Sequence, residues 1–266
     1  MSPSEKNYKK IVIKVGSSFF CSKKGEFDEA ALKHFVNQLI KLIDGGKKDF
    51  VIVSSGAIAL GMMKLKLSSR PIEIHSLMAT ASIGQNILMT SYSKAFQERT
   101  VGQVLLTWED FNDHRRRLNA KNTLNKLLDL GCVPIVNEND AVSAEEIKIG
   151  DNDRLSAMVA ETISADLLII LSDVNGLLDK DKKLINVVGE INSQIKALAR
   201  PSEKNTSVGG MITKIEAAKI AVDSGIPCVI ANGKNSKVIA QIISDPFCNG
   251  AWTVFIPAKG KHHERT

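Results

Sequence analysis

Two lysines in this chain stand where the residue type suggests chemistry. Lys14 sits in the apolar, β-branched run Ile11 to Val15, immediately ahead of Gly16-Ser17-Ser18. An ammonium inside such a strand is expensive to bury unless an anion neutralises it. An edge lysine reaching back to water is the ordinary alternative. A turn of small polar residues beside it, suited to a phosphate or carboxylate, favours the anion. Lys214 follows Gly209-Gly210-Met211 at the start of a helical pattern, and only that glycine pair sets it apart from an exposed helix lysine. Between them, Val133 to Leu155 opens as an apolar strand and then presents Asn137, Asn139, Asp140, Asp151, Asn152 and Asp153. Short Asp and Asn side chains favour turns and helix caps. One cap needs one residue, so the density of the cluster points to a binding loop. Cations and short polar groups together suit an anionic small molecule.

The elements that must carry these residues alternate. Strands are expected at Ile11–Val15, Phe50–Val53, Val101–Thr107, Val133–Val136, Leu167–Leu171, Cys228–Ala231 and Thr253–Ile256. The 3.6-residue period predicts helices from Asp28 through Leu42, and over Ala79–Phe96, His114–Leu130, Asp153–Ile163, Gly210–Ser224 and Ser236–Ile243. Strands that are almost wholly apolar, each separated by a helix, argue a mainly parallel sheet covered on both faces in one α/β domain. Three strands run into small polar residues: Gly16-Ser17-Ser18, Ser54-Ser55-Gly56 and Ser172-Asp173. Ligands in open α/β sheets bind beyond the carboxyl ends of the strands, where close backbone N–H groups and helix N-termini receive anions. The pattern is not a Walker loop, since no G-x-x-x-x-G-K-[ST] occurs, and no strand-linked G-x-G-x-x-G marks a dinucleotide site.

Composition narrows the rest. With 266 residues, 44% hydrophobic and 24% charged, the chain has the makeup of a globular domain. A net charge of +6 with only 5% aromatics and no arginine stripe makes nucleic acid the weaker partner. The four cysteines, Cys21, Cys132, Cys228 and Cys248, are scattered; Cys132 and Cys228 are expected inside apolar strands, as free thiols of a reducing compartment. No apolar signal core and no membrane-length run is present, so the cytoplasm is the expected location and no membrane partner is expected. His34, His75 and His114 are expected to be structural or solvent-facing.

The segments I-V-I-K-V-G-S-S, V-S-S-G-A-I-A-L-G, V-N-E-N-D, K-I-G-D-N-D-R-L-S-A, L-S-D-V-N-G-L and G-G-M-I-T-K resemble the amino acid kinase family. The combination S-S-G-A-I-A, N-E-N-D and G-D-N-D resembles the branch that phosphorylates the γ-carboxylate of L-glutamate at the start of proline synthesis. The likeness runs from about Lys10 to Phe255. It implies a three-layer αβα sandwich on a mainly parallel sheet of about eight strands, with ATP and glutamate end to end over the strand ends. Residues 1–258 would form the kinase domain and 259–266 a basic tail, without the C-terminal PUA domain that many members carry.

The resemblance also assigns roles. Lys14 and Lys214 would flank the transferring phosphoryl group and Asp153 would orient both. Ser55, Gly56, Asn137, Asp140 and Asn152 would serve glutamate. Gly16 and Ser17 would lie against the phosphates, and Ser172, Asp173 and the run Val208, Gly209, Gly210, Met211, Ile212, Thr213, Lys214 would complete the nucleotide site. Mg²⁺ would be held largely through phosphate oxygens, with no protein metal ligand assigned. A homo-oligomer and feedback inhibition by proline are family expectations. Within the family, acetylglutamate, aspartate, carbamate and UMP kinases share the lysine logic and differ in the acceptor. A non-catalytic nucleotide-binding regulator on the same fold is the alternative outside enzymes.

Overall fold

The computed structural model describes residues 8–20, 27–46, 48–143, 152–199, 210–248 and 250–258. In chain order the elements are β1 (Lys10–Val15), α1 (Ser17–Phe20), α2 (Glu29–Gly46), β2 (Asp49–Ser54), α3 (Ala57–Leu65), α4 (Ile74–Phe96), β3 (Val101–Leu106), α5 (Trp108–Asn112), α6 (His114–Asp129), β4 (Val133–Glu138), α7 (Asn152–Thr162), β5 (Leu167–Ser172), β6 (Val187–Val188), α8 (Ser193–Ala197), α9 (Met211–Asp223), β7 (Cys228–Asn232), α10 (Val238–Ser244) and β8 (Trp252–Phe255). The strands form an eight-stranded sheet in the order β3-β4-β2-β1-β5-β7-β8-β6. The run from β3 to β7 is parallel throughout, and β8 joins it antiparallel to β7. No helix among the described residues is long and apolar enough to cross a membrane.

Because side chains alternate along a strand, an apolar run such as β1 feeds two cores. Ile11, Ile13 and Val15 pack with Phe35 and Leu39 of α2, Tyr92 of α4 and Ile242 of α10. Val12 faces the opposite layer, with Leu124 of α6, Val159 of α7 and Ala218 of α9. This is the expected three-layer αβα sandwich. Each fully buried Val, Ile or Leu contributes roughly 1.5–3 kcal/mol, so a strand clothed on both faces is held as firmly as a chain can hold one.

The expected boundaries need several corrections. Helix α4 begins at Ile74 rather than Ala79, with the Glu73 side chain accepting from His75 N at 2.9 Å as its cap. The short elements α1, α5, α8 and β6 had no periodic signal of their own. Helix α3 carried no periodic signal because Ala57–Leu65 is apolar nearly all round, although only Ala57, Leu60 and Gly61 are buried. Strand β4 continues past Val136 through Asn137 to Glu138, pairing Leu105 with Asn137. Cys132 lies half-buried just ahead of β4 rather than within it, while Cys228 opens β7 and is fully buried. His34, His75 and His114 are exposed, as expected.

Helices α3 and α4 cross backbone to backbone. A Cβ on Gly61 would lie 1.9 Å from Thr80 O, and one on Gly84 would lie 1.7 Å from Ala57 O. No side chain can yield there, because the obstacles are backbone carbonyls. Gly84→Ala is therefore expected to destabilise the fold by about 3 kcal/mol, at the upper end of overpacking costs, read as a lowered urea midpoint. A midpoint equal to wild type would mean the crossing is loose.

Candidate active site

Parallel register brings the polar strand ends to one edge. Val15 is level with Ser54 on β2 and with Leu171 on β5, and Val53 is level with Val136 on β4. Alternation then decides which way Lys14 points. It shares the parity of Val12, whose face is covered by α7 and α9. Those two helices supply its partners from their first turns.

Asp153, only 2% exposed, sits at the start of α7 and receives Lys14 Nζ on Oδ1 at 2.6 Å. Its Oδ2 receives Lys214 Nζ from the first turn of α9 at 3.0 Å and the Thr213 hydroxyl at 2.8 Å. Both lysines are buried. Burial by itself would raise the Asp153 carboxyl, but the charges of Lys14 and Lys214 and the bonds donated by Lys14 and Thr213 more than offset it. The group is held well below the usual carboxylate range. The N-terminal end of α7 favours the anion further. Two ammonium groups and one carboxylate leave one excess positive charge at the strand edge, oriented and desolvated. Such an arrangement can stabilise additional negative charge arriving between the lysines.

On the β2 and β4 side lies a cluster of neutral polar groups. Asn152, the first residue of α7, donates from Nδ2 to Ser55 Oγ at 2.7 Å and to Asn137 Oδ1 at 3.0 Å. Asn137 is 2% exposed, and its Nδ2 donates to Gln85 Oε1 of α4 at 2.8 Å. Tyr92, two turns further along α4, donates its hydroxyl to Ser54 Oγ at 2.9 Å. Gly56 holds φ at +120° where β2 turns into α3, a conformation that favours glycine. Asp140 lies in the turn after β4 at the rim of a cavity of about 320 Å³, which Gln85, Asn86, Gln103 and Glu138 also line. Burial pushes its carboxyl up to about 6, with Arg70 partly opposing.

On the β5 and β7 side a cavity of about 630 Å³ is lined by Asp173, Leu178, Met211 and Asn232 among others. Ser172, at the end of β5, donates its hydroxyl to Asp173 Oδ1 at 3.2 Å. Gly16 lies beside the lysine: a Cβ placed there would be 3.6 Å from Lys14 Nζ. Ser17 begins α1 and is exposed, Gly210 precedes α9 and Ile212 is exposed. Val208, Gly209 and Asp151 lie outside the described residues. The Thr213 hydroxyl contacts Asp153 and Gly210 O, so its visible engagement is with the ion cluster. Gln85 and Tyr92 are not among the residues expected from the sequence, while Ser54 was expected only as part of a polar strand end. A Gly-Gln pair midway along α4 was the available signal.

No group of three or more His, Cys, Asp or Glu that could hold a metal sits together among the described residues. Asp153 is already engaged by three donors. These residues do not fit a protein-held Mg²⁺, and no step below passes through one.

Comparison with known proteins gives the family. Residues 9–232 match the amino acid kinase family. The chain is 46% identical over 259 residues to a glutamate 5-kinase of Clostridium acetobutylicum, covering 94% of this chain and 96% of that one. It is 43% identical over 258 residues to a glutamate 5-kinase of a Thermoanaerobacter species, covering 94% of this chain and 68% of the relative. Among solved structures, a carbamate kinase of Giardia superposes with a TM-score of 0.65 at 18% identity, covering 95% of this chain and all of its own. A UMP kinase of Bacillus anthracis reaches a TM-score of 0.62 at 14% identity over 94% of this chain and 97% of its own. The structural likenesses establish the fold; the sequence matches establish descent, and the chain belongs to the amino acid kinase family, within its glutamate 5-kinase branch.

Proposed function

We propose that this protein transfers the γ-phosphoryl group of ATP to the γ-carboxylate of L-glutamate, giving L-glutamyl 5-phosphate and ADP, the first step of proline synthesis. The observation that carries the assignment of ends is the sheet order. From β4 through β2 and β1 to β5 and β7, the chain lays out the Asp140 cavity, then Ser55, then the lysine–aspartate cluster, then the Asp173 and Asn232 cavity. The smaller cavity suits an amino acid and the larger one a nucleotide, with the cations between them.

The chemistry asks for positioning and charge rather than proton transfer. The acceptor carboxylate, with a reference pKa of about 4.3, is already ionised at neutral pH. One of its oxygens forms the new bond to the γ-phosphorus as the bond to the bridging oxygen of ADP breaks, and no proton moves. The obstacle is repulsion, about 4 kcal/mol for two unit charges ~4 Å apart at an effective dielectric near 20. Lys14 and Lys214 supply the offsetting charge, and Asp153 fixes where each ammonium points, since a lysine is otherwise a mobile point charge. Gly16 and Ser17 would offer backbone and hydroxyl donors to the phosphates, with Val208 to Ile212 and Ser172-Asp173 around the nucleotide. Ser55, Gly56, Asn137 and Asn152 would hold glutamate, and Asp140 would accept its α-ammonium. Mg²⁺ is proposed to arrive bound to ATP phosphates. Inhibition by proline, self-association and a cytoplasmic location extend the same reading, and a proline titration in the assay below tests the first.

Purified protein with ATP and glutamate should release ADP, and should do so far more slowly with acetylglutamate, aspartate, carbamate or UMP as acceptor. A preference for one of those would overturn the substrate assignment. Lys214→Ala should lower kcat by about 10²–10³, as loss of a preorganised donor to transition-state charge does, with glutamate KM little changed. An effect confined to KM would contradict the role given to Lys214.

Asp140 adds a pH test. A carboxylate titrating near 6 accepts an ammonium only above that value. Glutamate KM should therefore fall as pH rises from 5 to 7 and then level off, while Asp140→Asn should show a higher KM without that slope. Parallel profiles for the two proteins would remove Asp140 from the site.

A further inference from the structure

We propose that Gln85 is a positioning residue for the acceptor end: by accepting from Asn137 it holds the Asn152 amide in the orientation that leaves the Asn152 carbonyl oxygen for the substrate ammonium. The inference rests on the acceptor reading above and names a residue that reading does not use.

A carboxamide keeps its shape when its oxygen and nitrogen exchange places, so only neighbours with fixed polarity can decide between the two orientations. The backbone carbonyl of Ser54 is one such neighbour, because it can only accept. It lies 3.5 Å from Asn152 Nδ2, on the same side as Ser55 Oγ and Asn137 Oδ1. Asn137 must therefore turn its oxygen toward Asn152 and its NH₂ group away. In a site only 2% exposed that NH₂ needs an acceptor, and Gln85 Oε1 supplies it at 2.8 Å. The chain of bonds runs one way, from Asn152 to Asn137 to Gln85. At the two ends of the chain Asn152 Oδ1 and Gln85 Nε2 are buried and meet no hydrogen-bond partner among the described residues. That oxygen is the group a bound ammonium would satisfy.

The seat of Gln85 supports the role. Its neighbour Gly84 is pressed against Ala57 O and Gly61 N of α3, the helix that follows Ser55-Gly56. Seven residues on, the same face of α4 delivers Tyr92 to Ser54 Oγ. Helix α4 thus meets the strand ends at two points and cannot slide relative to either. Without an acceptor at position 85, the Asn137 NH₂ is left buried and unpaired in its present orientation, which then rests on the Asn152 bond and the 3.5 Å contact with Ser54 O alone. If Asn137 reverses, its NH₂ faces that of Asn152 and presses the Asn152 amide to present NH₂ to the ligand, where it repels an ammonium.

The test compares two substitutions of similar size. Gln85→Leu removes the acceptor and should raise glutamate KM about tenfold, equivalent to ~1.4 kcal/mol, with kcat within about twofold and with ATP KM unchanged. Gln85→Glu keeps an oxygen at the same reach and should bring glutamate KM back to within about threefold of wild type. Unchanged KM in Gln85→Leu, a parallel rise in glutamate and ATP KM, or a Gln85→Glu protein as impaired as Gln85→Leu would each overturn the proposal. A wild-type protein that phosphorylates no glutamate would instead sink the acceptor reading. The relay is then judged without substrate: the Asn152 side-chain amide resonances should shift in Gln85→Leu and return in Gln85→Glu, and resonances unmoved by Gln85→Leu would overturn it.

Discussion

A carboxylate shared by two ammonium groups is the constraint around which this molecule is arranged. Asp153 accepts from Lys14 and Lys214 on its two oxygens, and each partner would be hard to keep buried alone. Removing one member of a buried ion pair typically costs 3–5 kcal/mol because the remaining charge loses its compensation. Here the cations outnumber the anion, so the cluster is stable as folded and still lacks negative charge. An arriving phosphoryl group is proposed to supply it, so that structure and reactivity would draw on one imbalance.

The sheet makes that cluster possible. Lys14 is fixed by a strand buried on both faces, Asp153 and Lys214 by the first turns of helices packed on one of those faces. First turns are where a helix is most precisely seated against a strand end, and where its dipole stabilises a carboxylate such as Asp153. The opposite layer governs the neighbouring polar groups through α4, whose glycine-mediated crossing with α3 leaves no slack between Gln85 and the turn at Ser55-Gly56. Each layer thus supports one end of the same edge. The two cavities flank the centre because strand order, and not chain order, sets the sequence of sites along that edge.

Much of this was legible in the residues themselves. The apolar strands, the small residues after β1, β2 and β5, and the glycine stops of α2 and α9 follow from local rules of burial and backbone freedom. Lys14 stood out because an ammonium in an apolar strand demands an explanation. Helix α3 did not stand out, since an apolar residue at nearly every position erases the periodic contrast on which recognition depends. The five-residue shift at the start of α4 has a different cause: its cap is Glu73, a residue type outside the Ser, Thr, Asp and Asn that usually mark a helix start.

Residue types and spacing determined the α/β class, the set of charged and amide side chains, and their attachment to strand ends. Only the tertiary structure decided that Lys14 faces α7 and α9, that Asp153 takes both lysines, and that Gln85 from a distant helix accepts from Asn137. Those outcomes turn on strand register, on side-chain parity across a sheet and on the angle at which two helices cross. All three are relations between segments far apart in the chain, and local sequence carries no record of them.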